Sequence, residues 1–311
     1  MEQFVTLFNK LFLPQGLALH MSMERHIRNY VLWILCVDDE THNVLLKLSL
    51  PNVKLLKLSS LETKELISVK SQRTIAEYCW TLAPFAPRFV FEADESVNRV
   101  TYIDSDLWFL KSPIPIFNEL EISKKKVLIT DHAYSPEYDQ SSEFGQFCVQ
   151  FITFSRLNGE VVRKWWEERC IEWCFSYLDN GRFGDQKYLS DWPERFGSLV
   201  HILQDKETTL APWNANRFPY ANAIFYHFHD LRILSKKKLH IGAYSLPMVL
   251  KKYVYRPYSK DLKCAINMLE SIQFRWLVQA VKPNILRRIY YKLRRLYRVV
   301  GLLIPSHYMK W

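Results

Sequence analysis

Asp104 and Asp106 flank Ser105 where one apolar stretch, Arg99–Ile103, gives way to another that begins at Leu107. Along an extended chain, residues i and i+2 project to the same side, so the two carboxylates can converge on one cation. Carboxylates at the carboxyl end of a strand suit Mg2+ or Mn2+, hard ions that take oxygen ligands and share them with substrate phosphates. Tyr102 and Trp108 surround the pair with apolar bulk, which separates it from a simple solvated turn. His227 and His229 repeat the i, i+2 spacing on an apolar segment. A neutral imidazole can join two carboxylates around a first-row metal such as Mn2+.

Such a site needs a rigid scaffold, and the pattern of the chain predicts one. Residues 4–8, 31–37, 53–58, 99–103, 127–130 and 147–154 are short apolar runs, the signature of strands buried on both faces. Apolar residues between 17 and 27 predict a helix. Residues 60–83 carry mixed charge at helical spacing up to Pro84, and residues 159–178 form a longer amphipathic pattern. Strands alternating with helices predict an α/β fold with a mostly parallel sheet, whose carboxyl edge is where nucleotide ligands bind. Residues 208–234 read as irregular apart from a strand within 223–229.

Composition sets outer limits. The 311 residues are 49% hydrophobic and 15% aromatic, with 24% charged, which excludes a disordered chain. The runs 31–37 and 299–304 are far shorter than the roughly 18–20 residues of a membrane span. No pattern of a secretory signal opens the sequence, and six scattered cysteines include no CxxC pair, so reduced thiols in the cytoplasm are expected. Of the net charge of +10, nine positive charges and no negative one fall beyond Glu270, which leaves +1 for residues 1–270. A nearly neutral body with a basic tail excludes a chain whose whole surface grips nucleic acid. The expected division is therefore residues 1–250 as a catalytic domain and 251–311 as a basic helical extension.

With these segments in order, the chain resembles the GT-A fold nucleotide-sugar glycosyltransferases, close to the glycogenin and lipopolysaccharide galactosyltransferase group. The carriers are YIDSDLWFL, LITDHAYSPEYDQ, QFCVQFITF, the block RCIEWCFSYLDNGRFGDQKYLSDWPERF, the APWN turn and the HFH element, in that order. The resemblance implies a mixed, mostly parallel α/β sheet and an Mn2+- or Mg2+-dependent transfer from a nucleotide-diphosphate sugar, with a UDP-sugar as first expectation. It matches Asp104 and Asp106 to the metal-binding motif, with Asp104 and Ser105 also on the nucleotide. His227 is matched to a further metal ligand, with His229 as its alternative. Asp230 stands where that group has glycine, and the Lys-Pro-Trp that often follows is absent, which leaves Arg232 or the Lys236–Lys238 run for the diphosphate. Thr6, Asn9 and Arg73 fall where the group holds the nucleotide. Asp131, Asp185 and Gln186 fall against the reacting sugar, and Trp213 and Asn214 on the acceptor side.

Each of these has a plainer reading. Asp185 suits a helix cap, Asp131 an Asx turn, Arg73 an i,i+4 ion pair with Glu77, and Trp213 a buried core position. The resemblance implies retention of anomeric configuration and a glycan or glycolipid acceptor of the surface polysaccharide type. A nucleotidyltransferase of the same fold is the alternative enzyme, although the FNKLFLPQG stretch after the first strand lacks the Gly-rich loop it needs. A catalytically degenerate membrane-binding module is the alternative outside enzymes. In the tail, Leu286, Ile289, Leu293, Leu296, Val300 and Leu303 recur at helical steps among six arginines and lysines. That pattern predicts an in-plane helix that holds the protein on the cytoplasmic face of an anionic membrane.

Overall fold

The computed structural model describes residues 1–279 and, beyond them, Leu293 alone. Its strands are β1 (Glu2–Phe8), β2 (Tyr30–Cys36), β3 (Val53–Lys57), β4 (Arg99–Ile103), β5 (Leu107–Phe109), β6 (Val127–Asp131), β7 (Phe147–Ser155), β8 (Val200–Ile202), β9 (Thr209–Leu210), β10 (Phe225–His227), β11 (Leu231–Ser235) and β12 (Lys238–Ile241). Seven of them form one sheet in the order β3-β2-β1-β4-β7-β6-β8. Its strand pairs are parallel except where β7 meets β4 and β6. This is the mixed, mostly parallel α/β sheet that the sequence predicts.

Both faces of the sheet are buried, which explains the unbroken apolar runs. On β1 and β2, Phe4, Phe8, Leu32 and Ile34 enter one core, while Val5, Leu7, Trp33 and Leu35 enter the other. The chain runs outward through β1, β2 and β3, then returns to the opposite side of β1 as β4. That reversal is a topological switch point, where the carboxyl ends of adjacent strands diverge and open a crevice for ligands. Asn9 follows β1 into it and Asp104 follows β4.

Past Asp104 the chain leaves the large sheet. β5 joins a three-stranded sheet in the order β5-β10-β9, with β10 antiparallel to β5. These strands are two or three residues long; β10 falls within the strand expected at 223–229, whereas β9 lies in the stretch read as irregular. The hairpin of β11 and β12, whose first strand begins inside the stretch read as irregular, follows directly.

Two helical expectations change. The pattern at 60–83 is two helices, Lys64–Lys70 and Ile75–Leu82, and the second begins at a capping box in which Thr74 and Glu77 bond reciprocally. The helix expected at 159–178 runs Arg156–Glu172, with Leu157 and Asn158 out of helical geometry, and it stops early. Its end is set by tertiary bonds: Glu77 Oε1 accepts from the Ser176 amide and hydroxyl, each at 2.8 Å, and draws the chain off the helix axis.

The last described helix, Arg256–Ser271, buries Tyr258, Leu262, Ala265, Ile266 and Leu269 and lies along the first helix, Leu13–His26. No helix among the described residues is long and apolar enough to cross a membrane. The amphipathic tail expected from residue 283 onward lies outside the described residues. All six cysteines are free thiols.

Candidate functional site

Strand register builds the centre of the site. In the β5–β10 ladder Leu107 faces His227, which sets His227 beside Asp106. The Phe228 amide donates to the Asp106 carbonyl at 3.0 Å and prolongs that ladder. His227 Nε2 lies 3.1 Å from Asp106 Oδ1 and 3.7 Å from Asp104 Oδ2. Asp104, Asp106 and His227 each offer one ligand atom within 4.8 Å of the others. Two carboxylates and an imidazole on a half-open rim are the donor set that Mg2+ or Mn2+ takes beside a phosphorylated substrate, so the residues fit the expected ion.

The electrostatics agree. Burial pushes the Asp104 carboxyl up to about 7, against the pull of His227, and the Asp106 charge adds to the rise. Burial would raise Asp106 too, but the charge and hydrogen bond of His227 hold it below the usual carboxylate range. His227 is raised well above an ordinary histidine, because Asp106 outweighs the burial that opposes its charge. A divalent cation in the cluster would compete with protons for the same ligand atoms.

The surroundings divide into residues that face this cluster and residues that brace it. Tyr102 donates its hydroxyl to Asp104 Oδ1 at 3.1 Å. Arg232 and His229 both act electrostatically on Asp106, and the His229 ring sits 5.9 Å from that of His227. Asp230 has φ 62°, the left-handed backbone that glycine enters most easily and Asp tolerates. The turn is therefore kept although the residue type differs from the expected glycine. Thr6 is fully buried with no partner for its hydroxyl, and Asn9 spends its side-chain oxygen on the Leu11 amide.

Asp185 is buried, and no side chain caps the short helix Lys187–Asp191 that follows, so the capping reading is not realised. Burial raises the Asp185 carboxyl well above its usual range, with Cys174 and Asp104 adding to it. Gln186 donates Nε2 to the Phe144 carbonyl at 2.9 Å. Asp131 realises the Asx turn through the Ala133 amide at 2.7 Å, and also accepts from Gln146 at 2.9 Å and Lys206 at 2.7 Å.

Arg73 is not drawn into this group, nor does it pair with Glu77. It donates to the Ile171 carbonyl at 2.7 Å and to the Thr81 hydroxyl. Asn214 has no exposed surface, and its amide is satisfied by the Ala211 amide and the His132 and Thr209 carbonyls. Trp213 is also buried, donates to the His132 carbonyl at 2.9 Å, and sets its ring edge-on to both His227 and His229. The structure places this pair behind the histidines rather than on an open acceptor face.

Three residues that the motifs did not reveal complete the setting. Gln150 on β7 bonds His227 Nδ1 at 2.8 Å. Tyr258 stacks on Phe228 with ring centroids 3.6 Å apart, and Asp261 accepts from Trp108 Nε1 at 2.7 Å. An amide side chain in the otherwise mostly apolar run FCVQFITF was the available signal for Gln150.

The raised Asp185 carboxyl has a consequence for stability. Between its ordinary pKa and its raised folded value, the folded protein holds a proton that the unfolded chain has released. Stability therefore falls as pH rises through that window. Asp185→Asn removes the ionisation, so its melting temperature should match the wild type at about pH 4 and exceed it at about pH 8. Thermal unfolding at the two pH values checks this, and an equal offset at both would refute it.

No family model matches the chain. Among curated proteins it is similar to the uncharacterized protein YfnF of Bacillus subtilis (strain 168), 31% identical over 250 residues that cover 75% of this chain and 82% of that one. Among solved structures, the galactosyltransferase LgtC in complex with donor and acceptor sugar analogues has a TM-score of 0.53 at 11% identity, over 92% of this chain and 99% of that one. The glycosyltransferase GlyE of Streptococcus pneumoniae TIGR4 has a TM-score of 0.51 at 15% identity, over 90% of this chain and 67% of that one. The chain belongs to the family of YfnF, and its architecture is the GT-A fold of the glycosyltransferases.

Proposed function

We propose that the protein is a metal-dependent glycosyltransferase. It moves a hexose-type sugar from a nucleotide-diphosphate sugar, a UDP-sugar first, to a glycan or glycolipid acceptor of the surface polysaccharide or lipopolysaccharide type, with retention of configuration. The observation that carries the reading is the Asp104, Asp106 and His227 cluster beside the switch point of a GT-A sheet. LgtC, of the same fold, is a galactosyltransferase solved with donor and acceptor sugar analogues.

Asp104, Asp106 and His227 would hold Mn2+ or Mg2+, which supplies Lewis-acid stabilisation for the charge that develops on the departing diphosphate. Arg232, whose charge already acts on Asp106, adds a cation on the same side. Thr6, inside β1 with its hydroxyl unpartnered, and Asn9, just past the strand, serve the ribose and base, with Ser105 as a further contact to the nucleotide. Asp185, Gln186 and Asp131 orient the sugar and the acceptor hydroxyl, the positioning that makes such transfers fast. Trp213, Asn214 and His229 then serve by fixing the walls around the metal cluster. Residues 1–250 form the catalytic body, and residues 251–311 an extension whose basic tail holds the enzyme peripherally on the cytoplasmic face of a membrane.

A thermal-shift panel of UDP-, GDP-, CMP- and TDP-sugars with and without Mn2+ tests this. The true donor at 100 times its Kd stabilises by about 2.7 kcal/mol, and only when Mn2+ is present. No shift with any nucleotide sugar, together with no Mn2+-dependent hydrolysis of one, would reject the reading.

A further inference from the structure

Gln150 lies on β7 in the middle of an apolar strand and is 1% exposed. It touches two of the three cluster residues by different atoms. Its side-chain Oε1 is 2.8 Å from His227 Nδ1, and its main-chain carbonyl accepts from the Asp104 amide at 3.1 Å. Its own Nε2 is buried with no partner. An unpaired buried amide of this kind costs about 1–3 kcal/mol, a cost that an apolar residue like its neighbours Val149 and Phe151 would not incur.

We propose that Gln150 is a positioning residue for the metal centre, whose side-chain carbonyl sets the His227 tautomer and whose main-chain carbonyl fixes Asp104. The inference rests on the reading of Asp104, Asp106 and His227 as the metal site. A neutral imidazole carries one N–H, and a carbonyl oxygen can only accept. With Oε1 against Nδ1, the proton belongs on Nδ1 and the Nε2 lone pair faces Asp104 and Asp106, where a cation sits. With the amide turned over, its NH2 would require the lone pair on Nδ1 and drive the proton onto Nε2, into the place of the metal. The main-chain bond to Asp104 prolongs the β4–β7 ladder by one step beyond the Ile103–Phe151 pair, so one residue ties both ligands to the rigid sheet. Groups that orient a metal-bound histidine in this way are typically worth 10- to 100-fold in metal affinity.

The test compares Gln150→Leu, which removes the acceptor, with Gln150→Glu, which keeps it. Mn2+ affinity is measured by calorimetry on the full chain without donor, and the His227 tautomer by 15N NMR of the metal-free protein at alkaline pH. Gln150→Leu should bind Mn2+ about 10- to 100-fold more weakly and lose the single Nδ1–H tautomer. Gln150→Glu should bind at least as tightly as the wild type. Wild-type affinity in Gln150→Leu would overturn the proposal, as would an equal loss in both variants, since that result makes side-chain shape the cause. Should Gln150→Leu not fold, Gln150→Met, unbranched and of similar length, gives the same comparison. A wild-type protein that binds no Mn2+ would instead overturn the metal reading, and this inference with it.

Discussion

Asp106→Ala is expected to lower kcat by about three orders of magnitude while the protein still folds. A metal acting as a Lewis acid on a departing diphosphate supplies several kcal/mol of transition-state stabilisation, and each 1.36 kcal/mol is tenfold in rate. Asp106 is the carboxylate nearest His227, at 3.1 Å, and its removal leaves Asp104, at 3.7 Å, as the carboxylate facing His227 Nε2. The local backbone does not depend on the carboxylate, because the Asp106 carbonyl goes on accepting from the Phe228 amide. Initial rates across an Mn2+ titration, beside a melting curve, separate the two effects. A fully active variant at ordinary Mn2+ would end the metal-site reading. Asp106→Asn, which keeps one oxygen ligand but not the charge, should fall between alanine and the wild type.

What could be read from sequence here was local, and what could not was carried by long-range pairing. The same-side geometry of Asp104 and Asp106 needs only the i, i+2 rule. Their pairing with His227 needs an antiparallel ladder that joins residues 107–109 to 225–227, and no local pattern says which short strands pair or in what register. Alternation puts His227 and His229 on one side, and only the register between Leu107 and His227 brings His227 into the cluster. Gln150 was hidden for the opposite reason: its strand is so largely apolar that a single amide reads as noise. Trp213 and Asn214 carried types that suit a sugar platform. Whether an amide faces a ligand or a carbonyl depends on which loop lies behind it, here the turn at His132.

Deleting residues 251–311 should abolish folding, whereas deleting 280–311 should leave fold and Mn2+ binding intact. The basic composition marks this region as an appendage, but its first helix behaves as core. Tyr258, Leu262, Ile266 and Leu269 are each at most 2% exposed. At about 1.5–3 kcal/mol per large buried side chain they contribute about 6–12 kcal/mol, comparable to the entire net stability of about 5–15 kcal/mol. The helix also grips the site from behind. Tyr258 covers Phe228, the residue after His227, while Asp261 holds Trp108 and both terminal nitrogens of Arg25. The shorter deletion keeps Gln279, which bonds the Leu11 carbonyl and the Ile233 backbone. It removes Lys282 and every arginine and lysine after it, eight of the nine positive charges beyond Glu270. Each such charge near an anionic bilayer contributes about 1 kcal/mol. The intact chain should therefore sediment with anionic vesicles in a salt-sensitive way, and the 1–279 protein should not. A cooperative melt from the 1–250 protein would refute the bracing role of the helix. Equal vesicle binding by the 1–279 and intact proteins would refute the membrane role of the tail.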